Sequence, residues 1–454
     1  MSEPIPSSTT SSETSSSVIL RPRQSQWPAI SMEDALKIVV ETAQPIISKS
    51  VPANLVRPGM VLYEPVIAKN PIPPARTSIK DGYAVIASDG IGDREVITVT
   101  TAGSITTLKV TPGTCARVST GAMIPAGADA VVQVEDTELI KHNNIEEQVI
   151  RILKPPKENQ DIREIGSDVS IGQILLEKRC ILGSAEIGII AASGQRFIEI
   201  YRKPKVCVMS TGNELIDWTA EETPEGKIRD TNRPQLLALL NVHGFKTIDG
   251  GIVGDTREQL IQSIKVAFKF SNVIVMSGGV SMGEKDLVKS VLKDDFGFTI
   301  HFGRVFMKPG LPSTFATGTY ENNDLRYIFA VPGNPVSAWV ACQLFAIPAL
   351  RKLGGYQNCF QTEIKVRLAE QIRLDLRPEY RRAWLSTTDN SDKESTISDN
   401  ENIPLAFCTS HNQLSSFILS TRGANLLLKL PSKTESQQFL KSGDIVSALV
   451  IGQL

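Results

Sequence analysis

Five short runs hold most of the side chains that could do chemistry together. They are Thr211-Gly212-Asn213-Glu214, Gly254-Asp255, Ser277-Gly278-Gly279 running on to Ser281 and Asp286, Lys308-Pro309-Gly310, and Pro332-Gly333-Asn334-Pro335 running on to Ser337. Glycine has no Cβ, so backbone at Gly278 and Gly279 can crowd a ligand. Exposed backbone N–H groups in such turns, with a helix N-terminus at Val336-Ser337, suit phosphate or another oxyanion. Lys308 adds a point charge, and Arg382 a planar fork if the C-terminal region folds back. Glu214, Asp230, Asp255 and Asp286, with Asp81 and Asp168 from an earlier region, are hard oxygen donors. Carboxylates beside a phosphate site point to Mg²⁺ or a similar divalent cation. The set implies a phosphorylated organic substrate, a divalent metal and a second small oxyanion.

Each run follows a stretch with strand character: 205–210, 245–253, 273–276, 302–307 and 327–331. Helical stretches alternate with them at 233–243, 256–268, 287–293 and 336–345. Alternating βα units predict a parallel sheet covered on both faces. The runs then share the carboxyl edge of that sheet, where α/β proteins bind ligands. One such turn alone reads equally well as an ordinary connection; the coincidence of several favours a pocket. Before this region, Ser31 and Asp34 read as a capping box opening a helix whose apolar face is Ala35, Ile38, Val39 and Ala43. From 51 to 182 short apolar runs alternate with Pro and Gly turns, which predicts a β-rich region. It carries three polar clusters: Lys80-Asp81-Gly82-Tyr83, Ser119-Thr120-Gly121-Ala122, and Asp161-Ile162-Arg163 running to Asp168. In isolation each reads as a turn with surface charge. Residues 361–454 predict a small barrel or sandwich, interrupted by a polar loop at 387–402.

Composition excludes several classes. A chain of 454 residues is too long for one core. A net charge of −1 gives no global field for nucleic acid or an acidic membrane. The six cysteines form no CxxC and the four histidines no HxxxH, so zinc is not expected and the thiols read as reduced and cytoplasmic. No charge-free apolar run reaches the length of a membrane span. Residues 1–17 hold eleven Ser or Thr and no apolar core, which predicts a disordered tail rather than a secretory signal. There is no GxxxxGK followed by Ser or Thr, no strand leading into GxGxxG, and no GxSxG.

The runs KDGYAV, STGAMIPAGADAVVQVED, DIR, STGNE, GKIRDTNR, GIVGD, SGGVSMGEKD, HFGRVFMKPG, PGNPVSA and RPEYRR occur in this order from about 80 onward. In these the chain closely resembles the E domain of gephyrin and the MoeA molybdenum-insertion proteins, over nearly its whole length from about 30. The resemblance implies an α/β plus β fold in an elongated, four-subdomain subunit. These would be a linking β part (51–70 and 153–182), a β-rich part (71–152), a MogA-like α/β part (28–50 and 183–360) and a C-terminal β-barrel (361–454), after a tail at 1–27. It implies a molybdopterin molybdotransferase that takes adenylated molybdopterin and molybdate, hydrolyses the adenylate with a divalent cation, and yields molybdenum cofactor and AMP. Carried over residue by residue, Asp286, Asp81, Glu214 and Asp230 are the catalytic carboxylates. Gly278, Gly279, Ser281, Lys308, Pro312, Ser337, Arg382 and Thr120 bind substrate, and Asp286, Glu214, Asp255 and Asp168 hold Mg²⁺. The partners implied are a second copy of the chain, a MogA-like G-domain protein supplying the adenylated pterin, and recipient molybdoenzymes, all in the cytoplasm, with no nucleic acid and no membrane insertion.

Departures accompany the likeness. Leu311 stands where the plant relative has a lysine in its MKPGKP run, and Ala75 and Arg76 stand where relatives have an aromatic residue and a proline. The alternative function is a gephyrin-like receptor scaffold or a non-catalytic relative acting by protein–protein contact. Leu36 and Gln437 replace two aromatic groove residues of gephyrin, with Tyr380 retained, which should weaken that contact.

Overall fold

Ser31 opens the first helix. Its hydroxyl accepts from the Asp34 N–H at 3.0 Å and donates to the Asp34 carboxylate at 2.8 Å, so Asp34 reaches the Ser31 side chain rather than its backbone. Helix α1 (Met32–Thr42) buries Met32, Ala35 and Val39. In the computed structural model, residues 26–280, 287–321, 323–385 and 403–453 are described. They divide into two compact units, one of residues 49–200 and one of the remaining residues. Ser281, Asp286 and the whole polar loop at 387–402 lie outside the described residues.

In the first unit, β1 (Gly82–Val85), β2 (Gly92–Thr100), β3 (Thr114–Val118), β4 (Ala130–Gln133), β5 (Thr137–His142) and β6 (Glu147–Ile152) form one sheet in the order β4-β1-β3-β2-β6-β5. Successive residues point to opposite faces of a strand. Ala84 therefore joins one apolar cluster with Ala116 and Val131, and Tyr83 and Val85 join another with Cys115 and Ile150. The Tyr83 hydroxyl donates to Glu147 at 2.8 Å, and Arg117 pairs with the same carboxylate. The resemblance places helix α2 (Ser184–Ser193) in the α/β part. Instead Ile190 packs with Val51, Leu62, Leu176 and Ile198, so 183–200 belongs to the 49–200 unit. Its apolar residues run all round the helix, and that pattern names no partner.

The second unit contains β7 (Lys205–Thr211), α3 (Asn232–Val242), β8 (Lys246–Val253), α4 (Arg257–Phe270), β9 (Val273–Ser277), β10 (Thr299–Phe302), β11 (Thr314–Tyr320), β12 (Asp324–Val331) and α5 (Pro335–Ala341). The strand order is β8-β7-β9-β12-β11-β10. The first four strands are parallel, as expected, but β11 pairs antiparallel with β12 and β10 antiparallel with β11. A short hairpin turn after Tyr320 joins β11 to β12, and its acid-and-amide composition was the sequence signal for it. Both faces of the parallel part are buried. Val206, Val273 and Phe329 face α1, α3 and α5, and Cys207, Ile274 and Ile328 face α4. Helix α5 continues through a π-helical turn to Leu353, and 89% of its most apolar window is buried. It is long and apolar enough to cross a membrane, yet here it is a core helix.

Beyond it, β13 (Glu363–Leu368), β14 (Glu379–Leu385), β15 (Leu405–Cys408), β16 (Leu426–Leu430) and β17 (Ile445–Val450) close a five-stranded barrel in the order β13-β15-β14-β16-β17. Val366, Ala383, Leu426, Leu428 and Ala448 fill its interior. The fold class is therefore the α/β plus β architecture expected, with a barrel rather than a sandwich.

His243 caps the end of α3 with its backbone N–H on the Leu239 carbonyl. Burial, assisted by the Arg351 charge, pushes its pKa down to about 4, against a hydrogen bond with Gln343 that acts the other way. An unfolded histidine titrates near about 6.5. Between these values the unfolded chain binds a proton that the folded chain refuses, so stability is complete above about 6.5 and falls as pH drops toward 4. The melting temperature should decline through that window, and His243→Gln should flatten the decline. An unchanged slope would show that His243 does not drive it.

Candidate active site

The crossover from β7 runs outward to β8, and the chain then returns to place β9 on the other side of β7. Connections leave in opposite directions at this point, which opens a crevice at the carboxyl ends of β7 and β9. A cleft of about 910 Å³ lies there, lined by residues of the strand ends and of the barrel. The expected turns meet in it: Thr211, Gly212 and Glu214; Asp255; Ser277, Gly278 and Gly279; Lys308 and Pro309; and Pro332, Gly333 and Asn334, with Pro312 and Ser337.

The glycines at the floor are required sterically. Gly278 has φ +92°, and a Cβ there would stand 2.5 Å from the Thr211 carbonyl oxygen. Gly279 has φ +67°, and its Cβ would meet Val288 Cγ2 at 2.8 Å. L-residues seldom adopt such backbone. The strands thus finish with bare backbone facing the cleft.

Charge is separated across this edge. Glu214 and Asp255 line the side of β7 and β8, where Asp255 accepts from the Asn213 N–H at 3.0 Å. On the side of β12 and β11, Lys308 pairs with Asp375 at 3.1 Å and with Glu379 at 3.5 Å. Burial pushes the Asp375 carboxyl up, but the Arg377 backbone N–H and the Lys308 ammonium outweigh it and hold the pKa below its usual range. Glu379 is 1% exposed and also binds Arg381 at 3.1 Å. Backbone fixes Lys308 as well: its N–H donates to the Pro378 carbonyl, and its carbonyl accepts from the Tyr380 N–H.

Five expected residues take other places. Arg382 does not line the cleft. It is buried on the outer face of β14, opposite the barrel interior, where it donates to the Ser420 hydroxyl at 2.9 Å and burial pulls its pKa down to about 10. The arginine that lines the cleft is Arg377, one residue before Pro378 in the same RPEYRR run. Asp230 is also buried, accepting from Ser210 and paired with Arg233 at 2.9 Å. It is a structural anchor rather than a lining carboxylate. The N–H of Val336 donates to the Ser415 carbonyl, so that donor of the helix end is already taken by backbone. Asp81, Thr120 and Asp168 belong to the 49–200 unit. There the Thr120 N–H donates to Asp81 at 2.7 Å, and Asp168 pairs with Arg163 at 3.4 Å.

Sequence reasoning missed Asp375, Arg377, Asn232, Gln413 and Ser415. The Asn232 amide donates to the Gly333 carbonyl at 2.7 Å, and that of Asn334 to the Ser415 hydroxyl at 3.0 Å. The HNQLSS run follows barrel strand β15 rather than a strand of the parallel sheet, so nothing marked it as part of that edge. Among the described residues no group of three potential ligands is arranged to hold a metal ion. The described charged side chains lining the cleft are Glu214, Asp255 and Asp375 against Lys308 and Arg377. A site of that balance suits an anionic ligand only with a cation present, and Glu214 and Asp255 are the oxygen donors suited to a hard divalent ion.

Two sequence families match the chain. The MoeA N-terminal region (domains I and II) covers residues 30–194, and the probable molybdopterin binding domain covers 207–352. The molybdenum cofactor synthesis protein cinnamon of Drosophila melanogaster is 36% identical over 433 residues, or 94% of this chain and 67% of that protein. The molybdopterin molybdenumtransferase of Staphylococcus epidermidis is 32% identical over 76% of this chain and 80% of its own length. The chain belongs to the MoeA family. Gephyrin of Dictyostelium discoideum is 35% identical over 95% of this chain, which spans 64% of that protein. Among solved structures, the MoeA protein of Pyrococcus horikosii superposes with a TM-score of 0.75 at 25% identity, covering 94% of this chain and all of that one. The cleft thus lies mainly in the part matched by the molybdopterin-binding family, with its Asp375 and Arg377 wall and its Gln413 to Ser415 rim added from beyond that match.

Proposed function

We propose that this MoeA-family chain catalyses the last step of molybdenum cofactor synthesis, inserting molybdate into adenylated molybdopterin with release of AMP. The observation that carries the reading is a polar cleft at the sheet's switch point, with Glu214 and Asp255 on one side and Lys308 and Arg377, with Asp375 between them, on the other, in a chain similar to named molybdenumtransferases over most of its length. The substrates carry the charges that such a cleft would sort. Bare backbone at Gly278 and Gly279 admits a phosphorylated pterin closely. Lys308 and Arg377 would hold oxyanion oxygens, Lys308 as a point charge and Arg377 as a fork. Glu214 and Asp255, with Asp286, would hold Mg²⁺ or a similar ion. When bound, such an ion neutralises phosphate charge and polarises the anhydride for hydrolysis. Ser337 and Pro312 shape the wall beside Lys308. We further propose a homodimer that receives its pterin from a MogA-like G domain and passes the product to recipient molybdoenzymes.

A scaffold role draws no support from the groove aromatic that is kept, since Tyr380 is 6% exposed and packs in the α/β core. The test is reconstitution of a cofactor-free molybdoenzyme by the purified chain, adenylated molybdopterin and molybdate. Activity should appear with AMP in step, and Asp286→Ala should abolish both. AMP release without cofactor formation, or full activity in Asp286→Ala, would refute the assignment.

A further inference from the structure

Ser277 closes β9 at the floor of the cleft and is 2% exposed. Its hydroxyl is 2.9 Å from that of Ser210, its cross-strand neighbour at the same register. Ser210 in turn is 2.9 Å from Asp230 Oδ1. Asp230, 1% exposed, is held by the Arg233 backbone N–H at 3.1 Å and the Arg233 Nε at 2.9 Å. A carboxylate in that ion pair only accepts, and a hydroxyl has one proton to give. Ser210 must therefore donate to Asp230, and its oxygen accepts from Ser277. Ser277 has then used its only proton, and what it offers the cleft is a lone pair. The Thr211 hydroxyl, donating to the Ser277 carbonyl at 3.3 Å, steadies the same strand end.

We propose that Ser277 is a specificity-determining acceptor of the cleft, and that Ser210, Asp230 and Arg233 are positioning residues that fix its polarity. Resting on the functional reading above, the proposal assigns Ser277 to the heterocycle of the substrate. The ring and amino N–H groups of a reduced pterin are donors that match a lone pair. Phosphate and molybdate oxygens at neutral pH are acceptors and are turned away from this point, toward Lys308 and Arg377.

The full-length chain, titrated with adenylated molybdopterin and separately assayed for its molybdate dependence, distinguishes these roles. Ser277→Ala should weaken pterin binding about tenfold, the scale of leaving one buried donor unpaired, with the molybdate half-saturation point unchanged. Ser210→Ala keeps the Ser277 hydroxyl but releases its proton to turn into the cleft. It should weaken pterin binding by a smaller factor, again with molybdate unaffected, while urea unfolding reports whether each variant is folded. Parent-like pterin affinity in Ser277→Ala, or equal losses for pterin and molybdate, would overturn the proposal. A parent chain that binds no adenylated molybdopterin would overturn the functional reading, and the proposal with it.

Discussion

Arg233→Met should lower the unfolding free energy by about 3–5 kcal/mol, the cost of stranding a buried charge by removing its partner. Arg233 sits at the start of α3 with a side chain 5% exposed, and it reaches Asp230 at 2.9 Å, Asp217 at 2.6 Å and Asp249. Burial alone would pull the guanidinium pKa down, but hydrogen bonds to the three carboxylates overcome it and raise the pKa. The Asp217 carboxyl is held down to about 2, first by the Thr219 hydroxyl and N–H and then by Arg233. Asp217 and Asp249 are half exposed and can turn to water when Arg233 is lost; Asp230, 1% exposed, cannot. Urea unfolding of Arg233→Met, of Asp230→Asn and of the double variant closes a cycle. The double variant should recover part of the loss because no buried charge is stranded. A cost below about 1 kcal/mol for Arg233→Met, the range of exposed pairs, would show that the cluster is not an internal anchor.

Lys308→Met should cut cofactor formation by about 10²–10³-fold, the loss typical of removing one fixed group that stabilises developing charge. The protein should remain folded, because Glu379 keeps Arg381 as a partner and Asp375 keeps the Arg377 backbone N–H at 3.1 Å. The substitution leaves those two carboxylates facing any oxyanion without the ammonium between them, so the defect should deepen at low molybdate and ease as molybdate is raised. Lys429→Met serves as a control, since Lys429 pairs with Glu363 at 2.8 Å on the barrel surface and both side chains are largely exposed. A Lys308→Met protein with ordinary molybdate dependence would remove Lys308 from the oxyanion wall.

Four of the five strand ends were legible because each combined a buried apolar run with a glycine or proline turn; the stretch read as a strand at 302–307 is instead mostly loop, β10 having ended at Phe302. Val273–Ser277 is a strand with every residue buried, as its composition demands. Arg382 misled for a related reason. Side chains alternate along a strand, and because β14 turns Ala383 to the barrel interior it turns Arg382 to the outer face, where Ser420 covers it. The cleft is reached instead from Arg377, before the strand begins. Charge alone names neither position; the register of a barrel strand is set by pairing partners distant in sequence. Asp230 misled because a carboxylate in GKIRDTNR reads the same whether it faces a ligand or an arginine three residues on. The hydroxyl pair of Ser210 and Ser277 was visible only as two strand-final serines, and their contact depends on β7 and β9 lying side by side. The antiparallel strand β11 escaped because alternating helix and strand had set the expectation of crossovers throughout.

The backbone clasp at Lys308 bears on how this molecule can be divided. Lys308 is numbered with the sheet, yet its N–H and carbonyl are both taken by Pro378 and Tyr380 at the mouth of the barrel. The carboxylate side of the cleft is thus owned by one module, and the cationic side is stitched across two. A chain shortened to the sheet alone would keep Glu214, Asp255 and the glycine floor while losing Asp375, Arg377 and the tether that aims Lys308. The barrel is accordingly no detachable appendage: it supplies half of the counter-charge, and drift between the two modules would be felt first by the smaller anion.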